Sequence, residues 1–471
     1  FFQDISEYII AIVRMTSISP FLKGNWAPII EESSDDDGVS LSVANGILPM
    51  DLSGVFLRIG PNPARPEKLS KGYHFFGGDG MVHRVELRGG VANYKCRWVR
   101  TRSFVDEVDT IGNELSGKAN TAMVYHAGKL LCLEEGSKPW QLALPSLETV
   151  GRFTFNESLR HNFTAHPKVC PDTGEMMFFG YGFHDVEGSD AWIHYSVVDK
   201  EGSLVRTLPV NFREPVMTHD MAITRNYTIL ADFPLWDLTS PTKEEDRSRF
   251  GIFPRHSQSD AEIIWFDAPG QYGYHVANAW ERLDSNVVEL VMVSSMNFHF
   301  RRSNSGLRLH LWAFDLGTRV TIEDCVLSDI PCDFPIVDAR CVGKRTRFIW
   351  ASRLNSKIAE PLAIDGLLRY DLEKRETLQL TFPGGRRGGE TQFVPRRYEN
   401  GVRGTEGDGY LLVFTFMPDS GASELLVFDA STMSEVPLAI VSIPTRVPYG
   451  FHALWVDTER YEDRECNRSR L

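Results

Sequence analysis

The chain has 471 residues, 42% hydrophobic and 24% charged, a composition that buries a large core and excludes an intrinsically disordered polymer. Its 63 acids against 50 bases leave a formal charge of -13. That charge repels a phosphate backbone, and with no Lys/Arg stripe to offset it nucleic acid is not an expected partner.

Seven scattered cysteines without a C-x-x-C pair argue for reduced thiols in an intracellular compartment, and against a disulfide framework or a zinc-thiolate site. The sequons at Asn156, Asn162 and Asn226 then read as chance matches. No apolar run is long enough to span a bilayer. The first residue is Phe1 rather than Met, which leaves room for a removed leader.

In chain order, "QDISEYIIAIVRMT" at residues 3–16 predicts an amphipathic helix. Ile5, Ile9, Ile12 and Val13 form its stripe, and Tyr8 and Ile10 widen it. Such a helix packs on its own protein or lies on a membrane surface. "EESSDDDG" (31–38) reads as a solvated acidic loop. From Gly54 onward come short β-rich runs such as "GVFLRIG", "EMMFFGYGF", "VVELVMVS" and "YLLVFTFM", separated by turns such as "PDTGE" and "DKEGS". No helical pattern alternates with them, so a βαβ fold is not expected. An antiparallel array this long must close or repeat to hide its edges, and a propeller does so. Residues 1–20 are therefore read as an N-terminal amphipathic segment, and 21–471 as a single β-propeller domain with cap insertions.

One run, "VMTHDMAIT" (216–224), reads as a strand with His219, Met221 and Ile223 on one face and Thr218, Asp220, Ala222 and Thr224 on the other. An imidazole on an apolar face needs a partner, because a buried polar group left unpaired costs a few kcal/mol. Three more histidines stand in similar settings: His166 ("FTAHPK"), His275 ("YGYHVANAWE") and His452 ("YGFHALWV"). With Asp333 ("CDFPIV") and Glu390 ("GGETQFV") the series 166, 219, 275, 333, 390, 452 advances by 53, 56, 58, 57 and 62 residues, about one generous blade per step. A seventh member would be Glu135 in "LLCLEEG", at a short step of 31.

One polar residue on each innermost strand would bring four imidazoles and three carboxylates to a common axis. Neutral imidazoles suit a first-row transition ion, with acids accepting the far ring N–H of each ligand. Taken singly, each histidine is read as an ordinary hydrogen-bonded core or surface residue rather than a ligand, and only the joint spacing raises the metal reading. Two rival classes stay open on the residues alone. One is a non-catalytic propeller scaffold; the other is a hydrolase in which Glu135, Asp333 and Glu390 face a sugar. No G-x-S-x-G elbow occurs, and "GGDGMV" lacks the Lys-Ser/Thr of a phosphate loop.

The stretches "GVFLRIGPNP", "GYHFFGGDGMVH", "NTAMVYHAGKLLCLEEGSKP", "FTAHPKVCPDTGEMMFFGY", "VMTHDMAIT", "RFGIFPR", "IIWFDAPGQYGYHVANAWE", "DFPIV", "ETQFVPR" and "VPYGFHALWV" span about residues 25 to 456 in order. Together they resemble the carotenoid cleavage oxygenase family, most closely its plant carotenoid and apocarotenoid cleavage dioxygenases, zaxinone synthase-like enzymes included.

The resemblance implies a seven-bladed propeller with a helical and loop cap over the top face, and an axial Fe(2+) held by His166, His219, His275 and His452. It places Glu135, Asp333 and Glu390 behind those histidines, without saying which acid holds which ring. At Asp333 many members have Glu, and the shorter arm is expected to change how its histidine is held, for instance through water. The implied reaction uses O2 to cleave a conjugated C=C of a hydrophobic polyene into two carbonyls, at a 9,10 or a 13,14 bond. Stilbene-cleaving relatives carry Lys immediately before the first of these glutamates. Glu134 occupies that slot here, which favours a carotenoid or apocarotenoid over a phenolic stilbene. Peripheral membrane contact through residues 1–20 and a plastid location, with the cytosol as alternative, are the remaining expectations. The charged tail after Trp455 is expected to be peripheral.

Overall fold

Within a blade each β-rich run pairs antiparallel with a run next to it along the chain, in many cases through a turn short enough for a hairpin. In the computed structural model these hairpins form seven sheets of four to six strands. It describes residues 19–33, 38–66, 69, 73–106, 117–182, 189–233, 248–268, 270–296, 306–358 and 360–462. The helix expected at 3–16 and most of the charged tail lie outside the described residues.

The sheets are the blades of a seven-bladed all-β propeller. Their innermost strands, in ring order, are Lys168–Val169, Met221–Ile223, Val276–Glu281, Cys332–Ile336, Gln392–Pro395, Ala453–Asp457 and Ala122–His126. Most neighbours in that order touch side by side, among them Met221–Ile223 with Val276–Glu281 and Ala453–Asp457 with Ala122–His126.

Closure uses both ends of the described chain. Ala453–Asp457 pairs with Gly54–Pro61, in a register running from Gly54 opposite Asp457 to Arg58 opposite Ala453. Val39–Leu41 completes the outside of the same blade against Val91–Trp98. Val43–Gly46 caps the preceding blade by pairing with Ala439–Ile443. These pairings occupy edges that an open array would leave unpaired.

The core lies between blades. Trp312 and Trp350 are fully buried. Trp312 packs on Phe250 of the preceding blade at 5.0 Å between ring centroids, and Trp350 stacks on Phe393 of the following one at 4.6 Å. Much of the aromatic content therefore fills blade interfaces. Cys96, Cys132, Cys170, Cys325, Cys332 and Cys341 are free thiols, as the scattered spacing predicts. Among the described residues α-helix is confined to the short Arg102–Asp106 and to residues 458–462 at the end of the described chain.

One expected strand is shorter than its pattern. "VMTHDMAIT" is a strand only over Met221–Ile223. Upstream, the backbone carbonyl of Val216 accepts from the Trp192 indole at 2.8 Å, and the N–H of Met221 donates to the Asp220 carboxylate at 2.6 Å. These bonds replace the ladder, so the alternation of faces stops short of His219.

The blade-closing register depends on bare backbone. A Cβ on Gly60 would lie 2.4 Å from the Cα of Gly450, closer than two such carbons can sit. Gly60→Ala is expected to push the closing strand outward at a cost of roughly 1–3 kcal/mol, seen as a lower thermal unfolding midpoint. An unchanged midpoint would show that the two backbones can separate freely.

Candidate metal centre

A propeller strand that begins near the axis delivers whatever residue precedes it to the axis. His166 stands two residues before Lys168–Val169, His219 two before Met221–Ile223, and His275 and His452 immediately before Val276–Glu281 and Ala453–Asp457. One nitrogen from each of the four lies within 4.8 Å of the others. The Nε2 atoms of His166 and His219 are 2.9 Å apart, and those of His219 and His275 are 3.2 Å apart. His275 and His452 are buried, whereas His166 and His219 are half-buried.

The carboxylates stand behind this ring. Glu135 Oε1 bonds Nδ1 of His219, Asp333 Oδ1 bonds Nδ1 of His275 at 2.7 Å, and Glu390 Oε1 lies 3.3 Å from Nδ1 of His452. Each histidine of the series is thereby assigned its acid, except His166, which none of the three reaches among the described residues. As these acids hold histidines, they do not form the free facing pair that a glycosidase needs.

Asp333 bonds its histidine directly and no bridging water is required. The strand bulges between Asp333 and Ile336, and Phe334 takes a left-handed backbone with φ of 53°. Its N–H donates to Asp333 Oδ1 at 2.8 Å. A strained non-glycine residue of this kind persists only where its surroundings fix it. Here the Phe334 ring stacks on His275 at 4.9 Å and meets the edge of His452 at 5.4 Å.

Glu135 departs from the expected repeat. It follows Lys129–Leu133, the second strand of its blade, rather than opening the innermost strand. In an antiparallel blade the start of the first strand and the end of the second lie at the same face of the propeller, so Glu135 reaches the same level by the other route. That accounts for its short step.

Burial, with the neighbouring imidazoles adding to it, holds His166 well below the usual histidine range, and burial also lowers His452 despite Glu390. Burial pulls His275 down as well, but the charge and hydrogen bond of Asp333 outweigh it and leave its pKa raised. Asp333 is pushed up by burial, yet His275 and the Phe334 N–H bring it below the ordinary carboxylate range.

The donor set fits a cation. Carboxylates at Nδ1 of His219 and His275 place the ring protons there, so both Nε2 atoms carry lone pairs. Two lone pairs 3.2 Å apart repel each other unless positive charge lies between them. For ligands at right angles with metal–nitrogen bonds of about 2.1 Å the expected separation is about 3 Å. An all-imidazole set suits a first-row transition metal rather than calcium or magnesium.

Sequence reasoning missed the second layer of contacts. The Tyr181 hydroxyl donates to Glu135 Oε2 at 2.6 Å, and the ring of Tyr274 meets His219 edge-on at 5.0 Å. "YGYH" did place an aromatic beside His275, but only the tertiary structure turns it toward His219.

An all-β propeller carrying an axial ring of four histidines is the class that fold and site define. A family model described as retinal pigment epithelial membrane protein matches residues 26–457, and the chain belongs to this family, the carotenoid cleavage dioxygenases. It is 33% identical to a carotenoid 9,10(9',10')-cleavage dioxygenase 1 of Pisum sativum, covering 98% of this chain and 94% of that protein. It is 29% identical to a probable carotenoid cleavage dioxygenase 4, chloroplastic, of Arabidopsis thaliana, covering 96% and 84%. Among solved structures, a lignostilbene dioxygenase of Pseudomonas brassicacearum superposes with a TM-score of 0.81 at 24% identity, over 94% of this chain and 100% of that one, which shows the shared fold.

Removing a ring nitrogen should empty the site. His219→Ala is expected to reduce the iron retained after loading and desalting to background, measured by elemental analysis on folded protein. Stoichiometric iron in that variant would remove His219 from the ligand set. Asp333→Ala leaves the nitrogen but frees the ring, and is expected to weaken metal affinity by roughly 10 to 100-fold.

Proposed function

We propose that this chain is a non-haem iron(II) dioxygenase that cleaves one conjugated C=C bond of a carotenoid or apocarotenoid with O2, giving two carbonyl products. The observation that carries it is the convergence of His166, His219, His275 and His452, on a chain whose full-length relatives are named for that reaction. Those four histidines would hold the iron, with Glu135, Asp333 and Glu390 orienting three of them. Bound there, a ferrous ion supplies the electron that lets dioxygen react with an electron-rich alkene.

The protein's own residues do the rest by position. The acids keep the Nδ1 protons of His219 and His275 fixed, so neither ring can turn or change tautomer. Phe334 stacks on His275 and Tyr274 meets His219 edge-on, and both would help to keep water from those rings. Phe451, adjacent to His452, belongs to a buried aromatic cluster with Trp26, Phe75 and Tyr449, which keeps the surroundings of that histidine apolar, as a polyene substrate needs.

Between the two bonds considered, the names of the relatives favour 9,10 cleavage. The stilbene alternative is disfavoured at Glu134. Its carboxylate accepts the backbone N–H groups of Lys118 and Ala119 and offers a phenol no cation.

Incubation of iron-loaded protein with carotenoids, apocarotenoids and stilbenes, followed by mass analysis, tests this. Polyene fragments bearing an aldehyde or ketone are expected, with one oxygen of labelled O2 in each. Chelation should abolish turnover and ferrous ion restore it. Cleavage of stilbenes alone, or turnover indifferent to chelation, would refute the proposal.

Membrane contact and a plastid location complete the reading. The start of the described chain is tied down beside the aromatic cluster: Ser19 donates to the carbonyl of Tyr73 at 2.6 Å, and Phe21 packs on Phe75 at 4.6 Å. We take residues 1–18, expected as an amphipathic segment, as the part that would meet the lipid carrying the substrate. Deletion of residues 1–18 is expected to abolish liposome binding in a flotation assay, and undiminished binding would sink this part. The plastid rests on a relative named chloroplastic.

A further inference from the structure

The blades do not share hydrogen-bonded ladders. Each sheet is separate, and successive innermost strands only touch side by side. The angular spacing between one histidine and the next must therefore be set by bonds that cross from blade to blade. Asp220, the residue after His219, makes two such bonds.

Its side chain is almost fully buried, at 5% exposure for the residue. Oδ1 accepts the N–H of Met221 at 2.6 Å and pairs with the Lys168 ammonium at 2.7 Å. Oδ2 accepts the N–H of Val276 at 2.7 Å. Lys168 lies two residues after His166 on the preceding blade, and Val276 directly follows His275 on the next. One carboxylate thus bonds three consecutive blades next to three of the four histidines.

A parallel exists across the axis, where Glu390 accepts the N–H of Ala453, the residue after His452. Asp220 does for the backbone at His275 what Glu390 does for the backbone at His452, while Asp333 bonds the His275 ring rather than that backbone. We propose that Asp220, through Lys168 and Val276, is a positioning residue of the metal centre that sets the spacing of His166, His219 and His275. This rests on the four-histidine reading above.

The arrangement requires a carboxylate. Asparagine has one acceptor oxygen and one NH2 donor, so in this pocket it would aim a donor at either the Lys168 ammonium or the Val276 N–H. The blades would have to separate at one of the two crossings.

The test is titration of metal-stripped full-length protein with cobalt(II), followed by the visible ligand-field bands. Wild type should bind with a defined band pattern that His219→Ala loses. Asp220→Asn is expected to bind cobalt roughly 10 to 100-fold more weakly, with shifted bands. Lys168→Met should change both in the same direction, and Lys168→Arg, which restores the charge, should recover most of the affinity.

If Asp220→Asn fails to fold, Lys168→Met decides, because it removes only the ion pair. Wild-type affinity and bands in the folded variants, even with a lower melting temperature, would overturn the proposal and leave Asp220 a purely structural residue. Absence of cobalt binding by wild type, or binding untouched by His219→Ala, would instead overturn the four-histidine reading itself.

Discussion

The central constraint in this protein is the convergence of imidazole lone pairs. With Nδ1 of His219 and His275 bonded to carboxylates, their Nε2 atoms face each other at 3.2 Å, a contact that repels without a cation. The rings cannot escape by rotating, because each is held from behind by an acid and from the side by an aromatic. The fold therefore maintains a local arrangement that is unfavourable until positive charge enters, and that is how a preorganised metal site is built.

A seven-bladed propeller suits this task because it separates stability from geometry. Stability comes from apolar packing between blades, where pairs such as Trp312 with Phe250 and Trp350 with Phe393 are shut away from water. Geometry comes from short polar bonds near the axis, where Asp220, Asp333 and Glu390 reach from one blade to another. The bulge that puts Phe334 into a left-handed backbone belongs to the second group. Its strain holds both a carboxylate and an aromatic face against His275.

The same division explains why fold and substrate are separate matters in this family. The lignostilbene dioxygenase that superposes on this chain shares the propeller at 24% identity, and a shared architecture does not by itself fix a substrate. Differences on the shared fold lie in side chains: Glu134 turns its carboxylate to the backbone N–H groups of Lys118 and Ala119.

The amino-acid sequence determined the blade count and the histidines by itself. A propeller repeats, so a near-constant step of 53 to 62 residues marks the same structural position in successive blades, and the local motifs were sufficient to reveal the family. It also carried Asp333 and Glu390, which occupy that repeated position. It failed where a residue reaches the axis by another route. Glu135 enters from the end of a second strand, so its step was short, and its partner His219 lies 84 residues away. Alternation along "VMTHDMAIT" put Asp220 on the face opposite His219 and did not show what it bonds, because period two holds only while the ladder holds, and the ladder stops at Met221. Which acid holds which histidine, and that Asp220 binds the blades on either side of it, are relations between blades. Only the closed ring brings those atoms together, since no local pattern encodes the distance between strands that never pair.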